Sequence, residues 1–398
     1  MKITKVEALV LRIPDEEINR MAQVPANLER TGDYMFYRDG NEEAVLVRIQ
    51  TDEGIDGIGE VDTAGSIVET LIRAPPQATW FRAWEEVLVG ENPLEVGYLW
   101  EKMYRESGLY GRRGLITTVM SGLDCALWDI AGKYYKQPIY RLLGGGGEGT
   151  ATPYMSFNRF GKSEEEIIEK CIRIKRSNFR AAKFHNHPIG IDDKTALKFV
   201  ELARNTIGDG IDIMLDAANH YQDAKDAIKF AQAIEPFDIY FLEAPLNADN
   251  LDGYARLSQA TTIRIAAGEE QTTRFMYADL IERGKVDIIQ PDTTWAGGIT
   301  EVMRIGRMAY DRGVLCIPHC YKSFVGLASN LHVSMSLPNS PYCECPTSPL
   351  PLARELTNEK LEPDSTGRIK LSERPGLGVT LNEKIVEKYR YGPHLGTS

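Results

Sequence analysis

The sequence of 398 residues lacks the patterns that mark several other classes of protein. It has no uninterrupted run of 18 apolar residues, and its first stretch, MKITKVEALVLRI, alternates like a strand instead of forming the apolar core of a signal peptide. None of its six cysteines forms a CxxC pair, so the spacing indicates neither a zinc ribbon nor a secreted disulfide scaffold. We therefore expect reduced, mostly buried thiols in a cytoplasmic protein.

Positive charge is also scarce. Lys and Arg number 46 against 57 Asp and Glu, which gives a formal net charge of -11. Nucleic acids and anionic membrane surfaces both require a basic face, so neither kind of partner is predicted. An anionic substrate would then be held by local positive groups or a metal ion, not by the overall field of the protein.

What the sequence does contain is a regular alternation of short apolar runs and amphipathic helical stretches. Eight runs begin near residues 151, 180, 211, 239, 264, 287, 314 and 342. This spacing is typical of a (β/α)8 barrel, an α/β fold. A Rossmann sheet would need a GxGxxG fingerprint after its first strand, and none follows it.

Other structure precedes and follows the barrel. Strand-like alternation and then helical patterns predict an α+β capping domain over 1–134, with the barrel over 150–365. From about 366 the chain returns to short β-like pieces (GRIKLSERPGLGVTL), which are too few to form a domain alone. The segment 366–398 is predicted to dock on the capping domain. The long polar segment near 14–40 has no clear period and is predicted to be a lid or binding loop.

Ionisable residues mark the ends of the predicted barrel strands. Catalytic groups of such barrels lie on the C-terminal face, where the strands end. From the second strand to the eighth, the residues at these ends are Lys183 with His185, Asp216, Glu243, Glu269, Asp292, His319 and Glu344. A single residue of this kind has little meaning, but the same feature on every one of these strands predicts a functional site.

Three of these residues predict a metal site. Asp216, Glu243 and Glu269 come from consecutive strands, so their carboxylates should converge on one side of the barrel mouth. Three carboxylates that close together cannot all stay ionised without a cation. Oxygen ligands favour a hard ion, and Mg²⁺ is the usual choice where water and a substrate oxygen complete the octahedron. The alternative, that each carboxylate caps the next helix, explains one residue better than the matching set.

Two further residues predict a general base. Asp292 and His319 end adjacent strands, and a carboxylate beside an imidazole orients the ring and raises its basicity. A lone histidine after a buried strand is more often a core group, but the partner aspartate and the metal site favour a functional role. Lys183 and His185 are two residues apart, so they lie on the same side of their strand.

With these residues in place, the chain resembles the enolase superfamily, in its mandelate racemase-like branch. The resemblance spans nearly the whole length, including GLDCALWDIAGK and LLGG before the barrel and RPGLGVTLN near the end. It implies a (β/α)7β-like barrel, a capping domain completed by the C-terminal segment, and a homo-oligomer. It also implies that Mg²⁺ on Asp216, Glu243 and Glu269 stabilises an enediolate, that His319 with Asp292 is the base, and that Glu344 lies against the substrate carboxylate.

Two positions depart from the pattern of this branch. The second strand there usually ends K-x-K, with the second lysine as a base on the face opposite the histidine, whereas this chain reads K-F-H. Lys183 can still bind the substrate carboxylate, and His185 is either a weaker acid/base or only a hydrogen-bond donor. The Asn usually found two residues after the first metal ligand is Ala218 here, so Asn219 or His220 supplies its contact, or the contact is lost.

Both departures, with DIIQPDTTWAGGIT and IPH, are more similar to acid-sugar dehydratases of the rhamnonate dehydratase type. Racemisation needs a base on each face, whereas dehydration can use one histidine twice. The leading hypothesis is a Mg²⁺-dependent hydro-lyase that abstracts the α-proton of an aldonate or aldarate and eliminates the β-hydroxyl, giving a 2-keto-3-deoxy acid. Mg²⁺ and Lys183 would neutralise the carboxylate, and the segments near 14–40 and GEVDTAGS would cover the substrate.

Two alternatives stay open. The same scaffold could be a racemase, epimerase or cycloisomerase of a hydroxy acid or sugar lactone, with His319 and His185 acting on opposite faces. From a different class, it could be a non-catalytic metal-binding barrel, although such a protein has no need of the Asp292–His319 pair. The sequence does not decide which sugar acid is bound, or whether it carries one carboxylate or two.

Overall fold

The N-terminal part of the chain is an antiparallel three-stranded sheet covered by helices. The computed structural model describes residues 1–22, 42–75, 82–146, 148–157, 160–185 and 187–392. The sheet pairs β1 (Ile3–Arg12), β2 (Glu43–Thr51) and β3 (Gly57–Val61) in that order. The helices of this part are α1 (Asp15–Ala22), α2 (Gly65–Arg73), α3 (Trp84–Leu88), α4 (Val96–Glu106), α5 (Leu115–Tyr135) and α6 (Ile139–Leu142).

Helix α5 is the core of this part. Its backbone packs directly on the backbone of β3. A Cβ added at Gly59 would lie only 2.1 Å from the carbonyl oxygen of Gly122, so glycine is required for this close approach. By length and composition α5 could cross a membrane, but 89% of its apolar window is buried inside the protein. Packing on every side therefore accounts for its apolar composition.

The second part is a barrel of eight parallel strands, preceded by the short strand β4 (Thr150–Ala151). The barrel strands are β5 (Pro153–Phe157), β6 (Ala181–His185), β7 (Asp212–Asp216), β8 (Ile239–Glu243), β9 (Arg264–Ala267), β10 (Ile288–Ile289), β11 (Leu315–Cys316) and β12 (Cys343–Pro346). They pair in the order β11-β10-β9-β8-β7-β6-β5-β12, and each lies in a predicted apolar run. The Glu344 N–H donates to the carbonyl of Pro318 at 3.2 Å, which joins the two ends of the sheet.

Helices cover the outside of the barrel. They are α7 (Glu164–Arg176), α8 (Asp193–Ile207), α9 (Ala224–Ile234), α10 (Leu251–Ala260), α11 (Thr273–Glu282), α12 (Gly298–Tyr310), α13 (Phe324–Ser334) and α14 (Pro351–Arg354). Inside, a buried layer fills the barrel with Tyr154, Ala181, Met214, Phe241, Ala266, Ile288 and Ile317. These side chains fill the interior of the barrel between its two ends. The predicted fold class, a modified (β/α)8 barrel with an α+β capping domain, is confirmed.

The C-terminal segment returns to the N-terminal part of the chain. Its strand β13 (Ile369–Lys370) pairs antiparallel with β4, and its helix α15 (Glu383–Tyr389) is followed by a backbone bridge from Arg390 to Leu11 of β1. All six cysteines are buried and free, as the sequence led us to expect.

Two helices lie where the sequence predicted none. The segment near 14–40 begins with α1, whose first turn carries three acidic residues that complement the helix dipole. The remainder of that segment, 23–41, lies outside the described residues, so its predicted role as a lid stays a prediction. EKIVEKY forms α15, directly after the predicted β-like pieces GRIKLSERPGLGVTL, and the Asn382 side chain caps it by accepting from the N–H of Lys384.

Candidate active site

The strand register brings the predicted site residues together at the C-terminal mouth of the barrel. Along β6, β7 and β8, His185 is paired with Asp216, and Asp216 with Glu243. The other residues follow or end the next strands, with Glu269 after β9, Asp292 after β10, His319 after β11 and Glu344 in β12.

The three carboxylates predicted to hold a metal form one cluster. One oxygen each of Asp216, Glu243 and Glu269 lies within 4.8 Å of the other two. Burial raises the pKa of all three groups, and the negative charge of Asp216 raises the pKa of Glu243 and Glu269 further. Asp216 and Glu243 are buried and Glu269 is partly exposed. Such a mutually repelling set of oxygen ligands fits a divalent cation, which would relieve the repulsion.

Lys183 lies within a buried charge cluster beside these ligands. Its Nζ is 2.7 Å from Glu243 Oε1, 2.9 Å from Glu344 Oε1 and 3.6 Å from Asp216 Oδ2. Burial alone would lower the pKa of Lys183, but these carboxylates hold it well above its ordinary value. Lys183 is therefore a fixed positive charge at the mouth and not a proton acceptor.

His319 is oriented by a well-supported carboxylate. Its Nδ1 lies 2.9 Å from Asp292 Oδ2, and Asp292 Oδ1 accepts from the Thr294 N–H, the Thr294 hydroxyl and the Asn330 amide at 2.8, 2.8 and 3.0 Å. A carboxylate at this distance accepts a hydrogen bond from Nδ1–H, which leaves Nε2 as the ring atom that can accept and donate the reacting proton. Nε2 lies 3.5 Å from Glu269 Oε2, at the edge of the carboxylate cluster.

The charges of His319 and Glu344 support each other. Burial would lower the pKa of His319, but Glu344, Asp292 and Glu269 raise it to about 10. Burial would raise the pKa of Glu344, but Lys183 and His319 lower it to about 2. Glu344 Oε2 also accepts from the Cys320 N–H at 3.1 Å. These contacts favour the ionised form of Glu344.

His185 lies across the mouth in a different setting. Its Nε2 is 3.2 Å from Asp216 Oδ2, which occupies that ring nitrogen. Burial and the nearby Lys183 lower the pKa of His185 to about 4, so the ring is neutral. A neutral ring held in this way is a weaker acid than the imidazolium of His319.

The contact expected two residues after Asp216 comes from the backbone. The Ala218 N–H donates to Asp216 Oδ1 at 2.8 Å. The Asn219 amide instead donates to Glu270 Oε1 at 2.7 Å, and His220 Nδ1 lies beside a backbone carbonyl. Neither of these side chains replaces the asparagine that the family pattern usually places here.

A cavity of about 250 Å³ opens over these groups. In the described part of the chain it is lined by Asp62, His185, Glu269, Glu270, Trp295, His319 and Tyr321. Asp62 belongs to GEVDTAGS, directly after β3, so the capping part contributes to the wall. A larger cleft of about 510 Å³ lies at the opposite end of β9, β10 and β11 and includes none of the predicted site residues.

Comparison with known proteins agrees with this geometry. The family described as "Mandelate racemase / muconate lactonizing enzyme, N-terminal domain" matches residues 35–144, and the family described as "Enolase C-terminal domain-like" matches residues 166–385. The chain belongs to the mandelate racemase and muconate lactonizing enzyme branch of the enolase superfamily. The family that the sequence pattern indicated is thereby confirmed.

Similar members of this branch include enzymes of two reaction types. Arabinonate dehydratase of Saccharolobus solfataricus is 33% identical over 351 residues, which cover 87% of this chain and 91% of that protein. D-galactonate dehydratase of Klebsiella pneumoniae is 31% identical, covering 88% of this chain and 92% of the relative. The crystal structure of the 3,6-anhydro-D-galactonate cycloisomerase from Zobellia galactanivorans has a TM-score of 0.83 at 30% identity and covers 98% of this chain and 100% of that one.

In this member of the branch, two buried residues that the sequence reasoning passed over support the site. Gln290 Nε2 donates to Glu243 Oε2 at 2.6 Å, and the position of Gln290 directly after β10 was an available signal. Glu60 of β3 accepts from the Ser323 hydroxyl at 2.7 Å and the Gly326 N–H at 2.8 Å. These partners are more than 260 residues away in sequence, so no local pattern indicates the contact.

Proposed function

We propose that the protein is a Mg²⁺-dependent sugar-acid dehydratase. It would remove the proton α to a carboxylate and the β-hydroxyl, releasing water and leaving a 2-keto-3-deoxy acid. The observation that carries this proposal is a single well-oriented base beside the carboxylate cluster. His319 Nδ1 is bound to Asp292, and Nε2 lies 3.5 Å from Glu269. The similarity to two dehydratases supports the same reaction type.

Asp216, Glu243 and Glu269 would hold the cation. When bound, Mg²⁺ supplies positive charge that stabilises the negative charge developing on the substrate carboxylate and α-carbon. Lys183 adds a second positive charge, fixed between Glu243 and Glu344. Together these charges would make the α-proton acidic enough for an imidazole to remove.

His319 would then move one proton twice. The carboxylates of Glu344, Asp292 and Glu269 raise the pKa of His319, and with Glu269 neutralised by the cation that pKa would fall, so a neutral ring could accept the α-proton at Nε2. Asp292 would then stabilise the resulting imidazolium through Nδ1–H. The same imidazolium donates that proton to the departing β-hydroxyl, so water leaves and the histidine returns to its starting state. The enol that remains tautomerises to the keto acid. The elimination therefore needs only one acid/base residue, on one face of the substrate.

A second reaction has one observation in its favour. His185 lines the same cavity as His319 and could act on the opposite face of the substrate, as a racemase, epimerase or cycloisomerase requires. The similarity to a solved cycloisomerase supports this candidate too. Against it, Asp216 occupies Nε2 of His185, and Lys183, the other group at that strand end, is ion-paired.

A panel of five- and six-carbon aldonates and aldarates tests the proposal. With Mg²⁺, at least one should give a keto acid that reacts with semicarbazide, and chelation of the metal should stop the reaction until Mg²⁺ is restored. His319→Asn should lower kcat by roughly 10²- to 10⁴-fold, the usual contribution of a general base. His220→Asn, on a histidine that does not line the cavity, is the matched control and should retain activity.

Two outcomes would contradict the proposal. Full turnover by the His319→Asn variant would remove the assigned base. Deuterium that enters a substrate from D₂O, with no keto acid formed, would favour the racemase, epimerase or cycloisomerase. If Mg²⁺ binds but no carboxylate in the panel is turned over, the non-catalytic barrel becomes the better description.

A further inference from the structure

We infer that the cavity selects sugar acids with a single carboxylate, aldonates in preference to aldarates. This inference rests on the proposed function and deepens it. The reacting carboxylate belongs beside Lys183 and the carboxylate cluster, so the rest of the sugar chain extends along the remaining cavity wall. In the described residues, that wall is formed by Asp62, Glu270, Trp295 and Tyr321.

Asp62 is a fixed negative group on this wall. Its Oδ1 is 3.0 Å from Lys322 Nζ, and the Asp62 and Lys322 side chains are only 23% and 16% exposed. The Asp62 N–H donates to the carbonyl of Thr294 at 3.2 Å, which ties the capping part to the barrel at this point. Lys322 is therefore committed to Asp62, while Asp62 Oδ2, which has no donor among the described residues, can accept from a substrate hydroxyl.

Glu270 is a second carboxylate on the same wall. Its Oε1 accepts from the Asn219 amide at 2.7 Å, which restricts the side chain. Trp295 donates from Nε1 to the Glu270 carbonyl at 3.3 Å and offers an apolar surface for the C–H groups of a sugar.

The two ends of the cavity therefore favour different groups. The described cavity wall includes neither Lys nor Arg, and the neighbouring Lys322 is already paired with Asp62 at 3.0 Å. A second carboxylate at the end of the sugar chain would therefore meet the carboxylates of Asp62 and Glu270 without a lysine or arginine of its own on the wall. A terminal CH₂OH is neutral and can donate to the same oxygens. Repulsion of the terminal carboxylate of an aldarate and hydrogen bonding to the terminal CH₂OH of an aldonate both favour the aldonate.

The experiment compares sugar acids that differ only at the far carbon. Galactonate is paired with galactarate, and gluconate with glucarate, each with the Mg²⁺-loaded protein. Binding is measured by calorimetry and kcat/KM by keto-acid formation. We expect each aldonate to be favoured by at least about tenfold, as like-charge contacts in an interface commonly disfavour the wrong ligand by this much or more.

Two variants locate the cause. Asp62→Asn removes the carboxylate that is paired with Lys322, so the wall loses a negative charge and the Lys322 ammonium is left to attract a second substrate carboxylate. The preference for the aldonate over the aldarate should therefore fall by about tenfold or reverse. Glu270→Gln should reduce the preference less, because Glu270 is more exposed. Glu282→Gln removes a carboxylate from α11, outside this cavity, and should leave the preference unchanged.

Equal binding of both members of each pair, or tighter binding of the aldarate, would overturn the inference. A preference that persists unchanged in both Asp62→Asn and Glu270→Gln would overturn it as well. Failure of the proposed function is distinguishable. If aldonates bind better but no pair yields keto acid, the dehydration is wrong and the selectivity of the cavity stands.

Discussion

Glu243 is held from both sides before any ligand arrives. Lys183 Nζ lies 2.7 Å from Oε1, and Gln290 Nε2 donates to Oε2 at 2.6 Å. All three side chains are buried. Partners that hold a ligand in this way reduce the freedom lost on metal binding, so we regard Gln290 as a positioning residue for the predicted metal site.

Removing this amide should weaken the metal site. Gln290→Leu keeps the approximate volume but loses the donor to Glu243, and we expect the affinity for Mg²⁺ to fall by roughly 10- to 100-fold. Calorimetric titration with Mg²⁺, with no sugar acid present, measures this directly. Gln232→Leu, whose amide contacts the Ala260 carbonyl on the outside of the barrel, is the control. Equal affinities in the two variants would show that Gln290 does not position Glu243.

The difference between Glu243 and Gln290 shows what could be predicted from sequence at this scale. IYFLEAPL places a carboxylate at the end of an apolar run, and parallel strands in a barrel bring such ends together, so Glu243 could be found by reading one strand. The contact of Gln290 depends on the rotamers of two side chains from different strands. The strand pattern carries no information on those rotamers.

One buried carboxylate joins two elements on opposite sides of the cap–barrel contact. Glu60 of β3 is 2% exposed and accepts from Ser323 and Gly326 at the start of α13. The loop that enters α13 begins just after His319, so this contact fixes the segment that carries the predicted base. Burial raises the pKa of Glu60 from 4.5 to about 7, although the donors of Ser323 and Gly326 oppose the rise.

This shift predicts a pH-dependent stability. The folded state binds the Glu60 proton more tightly than the unfolded chain, so the stability that this group contributes is full below about pH 4.5 and is lost as the pH rises through about 7. Glu60→Gln does not titrate. The free energy of unfolding of the variant, relative to wild type, should therefore rise between pH 5 and pH 8, by at most about 3 kcal/mol.

Denaturant unfolding at several pH values measures this difference. Asp124, whose pKa burial also raises to about 7, is present in both proteins and cancels from the comparison. The exposed variant Glu282→Gln should show no such trend. A difference between Glu60→Gln and wild type that stays constant with pH would contradict the assignment of this titration to Glu60.

At the scale of helices and strands, long elements were predictable and short ones were not. Helix α5 has 21 residues and the barrel strands recur at a steady spacing, so each pattern repeats often enough to be recognised. Helices α1 and α15 have 8 and 7 residues, about two turns each. Two turns show too little of the helical period to be recognised, so neither helix was predicted.

For the whole molecule, the joint between α5 and the C-terminal segment is the contact that closes the chain. Asp129 of α5 accepts from the Leu377 N–H at 2.9 Å and the Ile58 N–H at 3.1 Å, and it pairs with Lys133 at 2.7 Å. One side chain thus holds β3, α5 and the segment after the barrel. These contacts support the predicted docking of the segment 366–398 on the capping domain. The domain boundaries themselves stay a prediction.

Two neighbouring glycines allow the tightness of this joint to be tested. Gly376 and Gly378 have φ of 75° and 74°, so alanine meets the same backbone penalty at both, roughly 1–2 kcal/mol. A Cβ at Gly376 would also lie 2.1 Å from Asp129 Oδ1, whereas the nearest atom at Gly378 is 3.4 Å away. Only the first substitution forces Asp129 to move.

We therefore expect Gly376→Ala to lower the free energy of unfolding by about 1–3 kcal/mol more than Gly378→Ala, the usual cost of overpacking a close contact. Denaturant unfolding of both variants measures the difference. Because Asp129 also holds β3, which leads directly into Asp62, Gly376→Ala should raise KM for any turned-over sugar acid more than Gly378→Ala does. Equal free energies of unfolding for the two variants would mean that the C-terminal segment shifts at Gly376 without moving Asp129. The contact between α5 and that segment would then have no role in shaping the cavity wall.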